Sequence, residues 1–109
     1  MKVSVVLPTY NEAGNIVSLV ENILNIIPID IKPEVIIVDD DSPDNTYEIA
    51  LKAFSLNPAV KVFLRTKDRG LAKSIRYGIE HASGDSVVVM DTDFTHNPAE
   101  IPRLLHVGE

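Results

Sequence analysis

The run "EVIIVDD", Glu34–Asp40, passes from four successive apolar residues directly into carboxylates. An unbroken apolar run, with no polar alternation, is what a strand covered on both faces requires, and such strands belong to parallel sheets with helices on either side. The acidic residues that end it then fall where the strand leaves the core.

The neighbouring segments repeat this logic. "KVSVVLP" reads as a strand over Val3–Leu7, stopped at Pro8. Ile16, Leu19, Val20, Ile23, Leu24 and Ile27 recur at helical spacing and form one apolar face, ended before Pro28. Ser42-Pro43 is read as the start of a second helix, with Ile49, Ala50, Ala53 and Phe54 as its buried face. "VKVFLRT" is a third strand, and Leu71, Ile75, Ile79 and Ala82 mark a third helix ending near Gly84. "SVVVMD" is a fourth strand, and Asn97-Pro98 opens a last short helix reaching Glu109. Strands alternating with helices predict a three-layer α/β sandwich around a mostly parallel sheet with right-handed crossovers.

Bulk properties restrict the function classes. At 109 residues the chain is one domain with room for a real core. A hydrophobic fraction of 45% and a charged fraction of 24% are ordinary for a globular chain. The net charge of −6 argues against an electrostatic grip on nucleic acid or anionic lipid. Without cysteine there are no disulfides or thiolate metal sites. "MKVSVVLPTYNE" turns polar too early for a signal peptide, and no apolar run reaches the roughly 20 residues of a membrane span.

In open α/β sheets ligands sit beyond the carboxyl ends of the strands. "PTYNE", "DDDSPD", "RTKDRG" and "DTDFTH" each follow a strand, so Tyr10, Glu12, Asp39, Asp40, Asp41, Lys67, Arg69, Asp91 and Asp93 are expected along one edge. Polar loops and turn-forming aspartates alone account for much of this. Convergence adds a second consideration, because two carboxylates about 4 Å apart repel by roughly 4 kcal/mol at an effective dielectric near 20. Converging aspartates would therefore call for a cation, and oxygen-only ligands suit Mg²⁺ or Mn²⁺, which also bridge phosphate oxygens. The pair in "VVVMDTDFTHNP" is then expected to handle a metal-bound diphosphate.

Taken in order, "VVLPTYNE", "VIIVDDDSPDNT", "GLAKSIRYGIEHASGD" and "VVVMDTDFTHNP" resemble the family 2 inverting glycosyltransferases of GT-A fold, and among these the dolichol-phosphate (polyprenyl-phosphate) mannosyltransferases. The likeness runs over essentially the whole chain. It implies metal-dependent inverting transfer of mannose from GDP-mannose to dolichyl or polyprenyl phosphate, with Mg²⁺ or Mn²⁺ as cofactor, at the cytoplasmic face of a membrane. Residues 1–109 would be the nucleotide-sugar-binding part of a longer catalytic domain, with the acceptor side beyond Glu109.

Carried over by motif, Pro8, Tyr10, Glu12, Val38 and Asp40 line the nucleoside pocket. Tyr10 has a flat ring face for a base, Asp40 an acceptor for the base's N–H edge, and Glu12 acceptors for ribose hydroxyls. Asp91 and Thr92 lie along the ribose and sugar phosphate, Asp93 coordinates the metal, and Asp91 and Asp93 form the catalytic pair. Thr95, with Asp91 and Asp93, completes the metal set, although relatives often carry glutamine or serine there. Asp41 stands where much of the wider family has glycine.

Other residues take blander readings. Lys67 and Arg69 are solvated loop charges or diphosphate contacts. His96 is a helix-cap neighbour, and His81 and His106 face solvent. Gly70 and Gly78 allow close helix packing. A UDP-sugar donor with the same acceptor remains open. "VVVMDTDFT" also fits the haloacid dehalogenase-like phosphatases, with Asp91 as nucleophile and Asp93 as general acid, but few residues follow for the rest of that site. A receiver-type module would use Asp39 and Asp40 for Mg²⁺ and needs an aspartate ending the third strand, which instead reads "FLRTK".

Overall fold

The computed structural model describes residues 1–90. The expectations placed on Asp91, Thr92, Asp93, Thr95, His96, His106 and the helix from Asn97-Pro98 lie outside them. The elements in chain order are β1 (Lys2–Thr9), α1 (Ile16–Ile26), β2 (Lys32–Asp39), α2 (Thr46–Phe54), β3 (Val60–Leu64), α3 (Leu71–Glu80) and β4 (Ser86–Val89). All pairings are parallel and the strand order is β3-β2-β1-β4.

β2 is buried without interruption from Glu34 to Asp39, as its apolar run requires. One face of the sheet, carrying Val3, Val5, Leu7, Val35 and Ile37, packs on Ile16, Val20 and Ile23 of α1 and on Ala50 and Phe54 of α2. The other face, carrying Val6 and Val38, lies under α3. The layers are thus helix, sheet and helix, as expected. Gly78 makes the second contact possible: a Cβ there would collide with Cγ1 of Val6 and come within 3.3 Å of Cγ2 of Val38.

Several boundaries differ from the sequence reading. β1 does not stop at Pro8, which lies inside the strand opposite Val38. Alternate residues of a parallel strand address alternate neighbours. Val6 accepts from Met90 on the β4 side and Thr9 accepts from Asp40 on the β2 side, so the proline's missing N–H falls toward β4. Among the described residues the β1–β4 register runs from Val3↔Ser86 to Val6↔Val89, short of Pro8, and the ring is tolerated.

α2 begins at Thr46, not at Ser42-Pro43, because Asn45 adopts a left-handed φ of 69° that ends the preceding turn. Its buried face is Thr46, Ala50 and Phe54, while Ile49 and Ala53 are exposed. In α3 the inward residues are the small Ser74 and Gly78, leaving Leu71 and Ile79 on the exposed side and Ile75 half-buried. The periodicity was genuine, but close approach selected the small-residue face.

The order β3-β2-β1-β4 means that the chain winds one way from β1 and then returns to the other side of it. The carboxyl ends of β1 and β4 therefore flank the point where the winding reverses, the usual place for a ligand crevice.

Candidate functional site

The rim at this edge is stitched together by the loops after β1, β2 and β3. Asp39 is fully buried at the end of β2 and accepts from the Thr9 hydroxyl at 2.7 Å, the Ser42 backbone N–H at 2.9 Å and the Ser42 hydroxyl at 2.6 Å. Three consecutive N–H groups of the β1–α1 loop donate to side chains of the β2–α2 loop. These are Asn11 to Ser42 Oγ at 2.9 Å, Glu12 to Thr46 Oγ1 at 3.0 Å and Ala13 to Asp44 Oδ2 at 3.1 Å. The Thr46 hydroxyl donates to Asp44 Oδ1, and with the Ala13 N–H it holds the Asp44 carboxyl below the usual carboxylate range.

Asp40 faces the other way, toward α3. Its Oδ2 accepts from the Gly70 backbone N–H at 2.8 Å, its Oδ1 accepts from Ser74 Oγ at 3.2 Å, and Arg65 lies 3.6 Å from Oδ1. Arg65 also donates to the Asp68 carbonyl at 3.1 Å and stands over the Tyr77 ring. The acidic run after β2 is consequently not a cluster of repelling carboxylates. Asp39 and Asp40 point apart and each has its own donors, which removes the expected need for a cation there. Among the described residues no group of three His, Cys, Asp or Glu side chains could hold a metal. Asp91, Asp93 and Thr95, the expected all-oxygen donor set for Mg²⁺ or Mn²⁺, lie outside the described residues.

The expected nucleoside-lining residues separate by depth. Tyr10 is 48% exposed, and the Arg69 guanidinium lies 5.8 Å from its ring centroid. Glu12 is buried behind it, with its carbonyl accepting from Asn15 and Ile16 at the start of α1. Pro8 and Val38 are buried, so their side chains are not open to a ligand at the surface. Lys67 is exposed. His81 is exposed as expected, yet stacks on Tyr77 with ring centroids 4.2 Å apart. Gly70 differs from Gly78. Its φ of +147° needs glycine, but nothing lies within 4 Å of where a Cβ would stand, so its role is conformational and not close packing.

The left-handed backbone is concentrated at this rim. Asn11, Asp41, Asn45 and Asp68 have φ of 57°, 60°, 69° and 54°. Asp41 thus keeps the conformation that glycine would supply.

Sequence reading took Ser42 only as a helix start and passed over Asp44, Thr46, Arg65 and Ser74, which together with it assemble the rim. The aspartate-to-serine spacing Asp39–Ser42, typical of a side chain accepting from a nearby N–H, was the available signal for Ser42. It also passed over Glu34 at the opposite end of the sheet.

A parallel sheet whose winding reverses beside an exposed tyrosine, with an ordered polar rim at its carboxyl edge, defines an α/β domain arranged to receive a ligand there. The chain belongs to glycosyl transferase family 2, whose sequence profile matches residues 4–107. It is 48% identical over 105 residues to a dolichol-phosphate mannosyltransferase of Pyrococcus furiosus, covering 96% of this chain and 29% of that protein. It is 35% identical over 111 aligned positions to an undecaprenyl-phosphate 4-deoxy-4-formamido-L-arabinose transferase of Yersinia pestis, covering 99% and 34%. A mannosyltransferase of Pyrobaculum calidifontis, solved in complex with GDP-Man and Mn²⁺, superposes with a TM-score of 0.71 at 34% identity, over 84% of this chain and 27% of that one. The chain thus spans about a third of the length of the curated relatives it matches. The fold is that of the GT-A glycosyltransferases.

Proposed function

We propose that this chain forms the donor side of an enzyme that transfers mannose from GDP-mannose to dolichyl or polyprenyl phosphate with inversion. The observation that carries the reading is the placement of β4 beside β1. Met90 N–H donates to the Val6 carbonyl at 2.9 Å, so the residue that precedes Asp91-Thr92-Asp93 in the chain is held beside the strand that ends in the Tyr10 loop. Tyr10 offers its ring to the base, Glu12 supports the ribose side, and Asp40 supplies an acceptor at the crevice wall. Mg²⁺ or Mn²⁺, held by Asp91, Asp93 and Thr95, would supply charge neutralisation at the diphosphate.

A polyprenyl phosphate is already anionic, so its oxygen can attack the anomeric carbon without a strong general base. The residues then act by positioning the two reactants and by opposing charge on the departing diphosphate, for which Arg69, 5.8 Å from the Tyr10 ring centroid, is a candidate cation. Attack opposite the leaving group turns an α-linked donor into a β-linked product with no covalent enzyme intermediate. Among the described residues no helix is long and apolar enough to cross a membrane. The proposed site of action is the cytoplasmic face of a membrane, reached through the acceptor lipid.

Calorimetric titration with GDP-mannose and with UDP- and CDP-linked sugars tests the donor. GDP-mannose should bind in preference, and stronger binding of a UDP-sugar would move the reading to a UDP-sugar polyprenyl-phosphate transferase. Family membership favours transfer over the phosphatase reading. A phosphorylated or beryllofluoride-trapped Asp91 would reverse that preference.

A further inference from the structure

The end of the sheet away from the crevice holds a buried carboxylate to which the proposed chemistry gives no part. Glu34, its side chain only 3% exposed, accepts from Ser4 Oγ at 2.6 Å and from the backbone N–H and hydroxyl of Ser83 at 2.9 and 3.0 Å. Lys61 stands 2.9 Å away and Lys2 3.5 Å away. Burial alone would raise the Glu34 pKa, but donation from Lys61, Ser4 and Ser83 outweighs it and keeps the carboxylate ionised far below the usual range.

These contacts converge on the turn between α3 and β4. Gly84 N–H donates to Ser4 Oγ at 2.8 Å, Asp85 N–H to the Lys2 carbonyl at 2.7 Å, and Lys2 N–H back to Asp85 Oδ2 at 2.8 Å. A Cβ on Gly84 would stand 2.7 Å from both the backbone nitrogen and the hydroxyl of Ser4, so the turn lies directly against β1. Among the described residues β4 is four residues long and pairs with β1, from Val3↔Ser86 to Val6↔Val89. A one-residue slip in this register would send every side chain of β4 to the opposite face.

We infer that Glu34 is a positioning residue for the donor site: by clamping the Ser83–Gly84 turn onto β1 and β2 it sets the register of β4, the strand that precedes the proposed metal ligands Asp91 and Asp93 in the chain. The inference deepens the transferase reading and depends on it. It assigns to a carboxylate at the far end of the sheet an effect on metal-dependent donor binding.

The test uses the full chain with GDP and Mn²⁺ as probes. Glu34→Gln and, independently, Gly84→Ala should speed amide exchange at Val87–Met90 relative to Val35–Val38. Both should also raise the Mn²⁺ concentration needed for half-maximal GDP binding by roughly three- to tenfold, less than the tenfold to hundredfold typical of a group touching a metal ligand directly. Phe54→Leu, a core change on the other face of the sheet, should lower the melting temperature while leaving the Mn²⁺ requirement unchanged. If Glu34→Gln does not fold, Ser83→Ala, which removes one donor to Glu34 Oε2, takes its place. Unchanged β4 exchange or an unchanged Mn²⁺ requirement in variants that bind GDP overturns the positioning role alone. A wild-type chain that binds no GDP at any Mn²⁺ concentration overturns the transferase reading, and this one with it.

Discussion

The backbone N–H of Gly70 donates to Oδ2 of Asp40 at 2.8 Å, tying the start of α3 to the end of β2. This bond joins two motifs that are far apart in the chain, and it means that the acceptor proposed to face the base is oriented before any ligand arrives. Asp40→Asn gives up the charge beside Arg65 and is expected to weaken GDP binding by about 1.5–3 kcal/mol, roughly tenfold to a hundredfold. Arg65→Gln, which leaves the Gly70 bond in place, should lower the melting temperature with little change in GDP affinity. Calorimetry and thermal unfolding on the two variants separate the roles, and equal affinity losses would mean that Arg65 also meets the ligand.

Asp39 and Asp93 should fail in different ways. Asp39 has no exposed surface and accepts three hydrogen bonds from Thr9 and Ser42, so Asp39→Asn should destabilise the fold by about 1–3 kcal/mol. Asp93→Asn should leave unfolding nearly unchanged and reduce Mn²⁺-dependent nucleotide binding. Measuring both variants by denaturant unfolding and by Mn²⁺ titration checks the division. Matched losses of binding would show that the metal role is misassigned.

Tyr10 stands in the open with Arg69 over its ring, and neither side chain is part of the buried core. Replacing the ring by Tyr10→Ala should weaken GDP binding by about 1–3 kcal/mol, the range of base–aromatic stacking. Tyr10→Phe should retain most of the affinity, and neither variant should shift the melting temperature appreciably. Retained binding in Tyr10→Ala would place the base elsewhere.

The Glu34 carboxyl gives the fold an acid-sensitive component of definite sign. Its folded pKa lies below its unfolded one, so at low pH the unfolded chain takes up the proton first. The stabilisation is therefore present above the ordinary carboxylate range and fades as pH falls below about 4.3. Glu34→Gln should cost most stability near neutral pH, and the gap to wild type should narrow between about pH 5 and pH 2. Urea unfolding of both proteins at several pH values follows the difference, and a gap that widens toward acid contradicts the assignment.

Much of the layering was visible in the residues, because continuous apolar strands and helically spaced apolar faces report burial directly. The errors arose where a short-range rule met a tertiary circumstance. Pro8 breaks strands in general, but here its missing donor falls toward β4, beyond the described β1–β4 pairs. Ile49 and Ile79 look like core residues, but Thr46, Ala50 and Phe54 take the inner positions of α2, and Gly78 lets α3 approach the sheet closely. The edge on which the polar residues gather was also legible, since topology places strand ends together. The partners of Asp39 and Asp40 were not: a local pattern records that an aspartate is present, and only the fold determines which donors already reach it. Glu34 was hidden for the same reason, its donors being contributed by β1, β3 and the turn before β4.

The left-handed residues of the rim change how an alanine scan of this protein should be read. At Asn11, Asp41, Asn45 and Asp68 the backbone sits where a Cβ without a short polar side chain is disfavoured, at a cost on the order of 1 kcal/mol. Alanine at these positions would depress activity even where no ligand is touched, and a scan would mark the whole rim as catalytic. Glycine is the informative replacement, because it removes the side chain while keeping the backbone angle available. A position where glycine is tolerated and alanine is not reports conformation, and one where both fail reports contact.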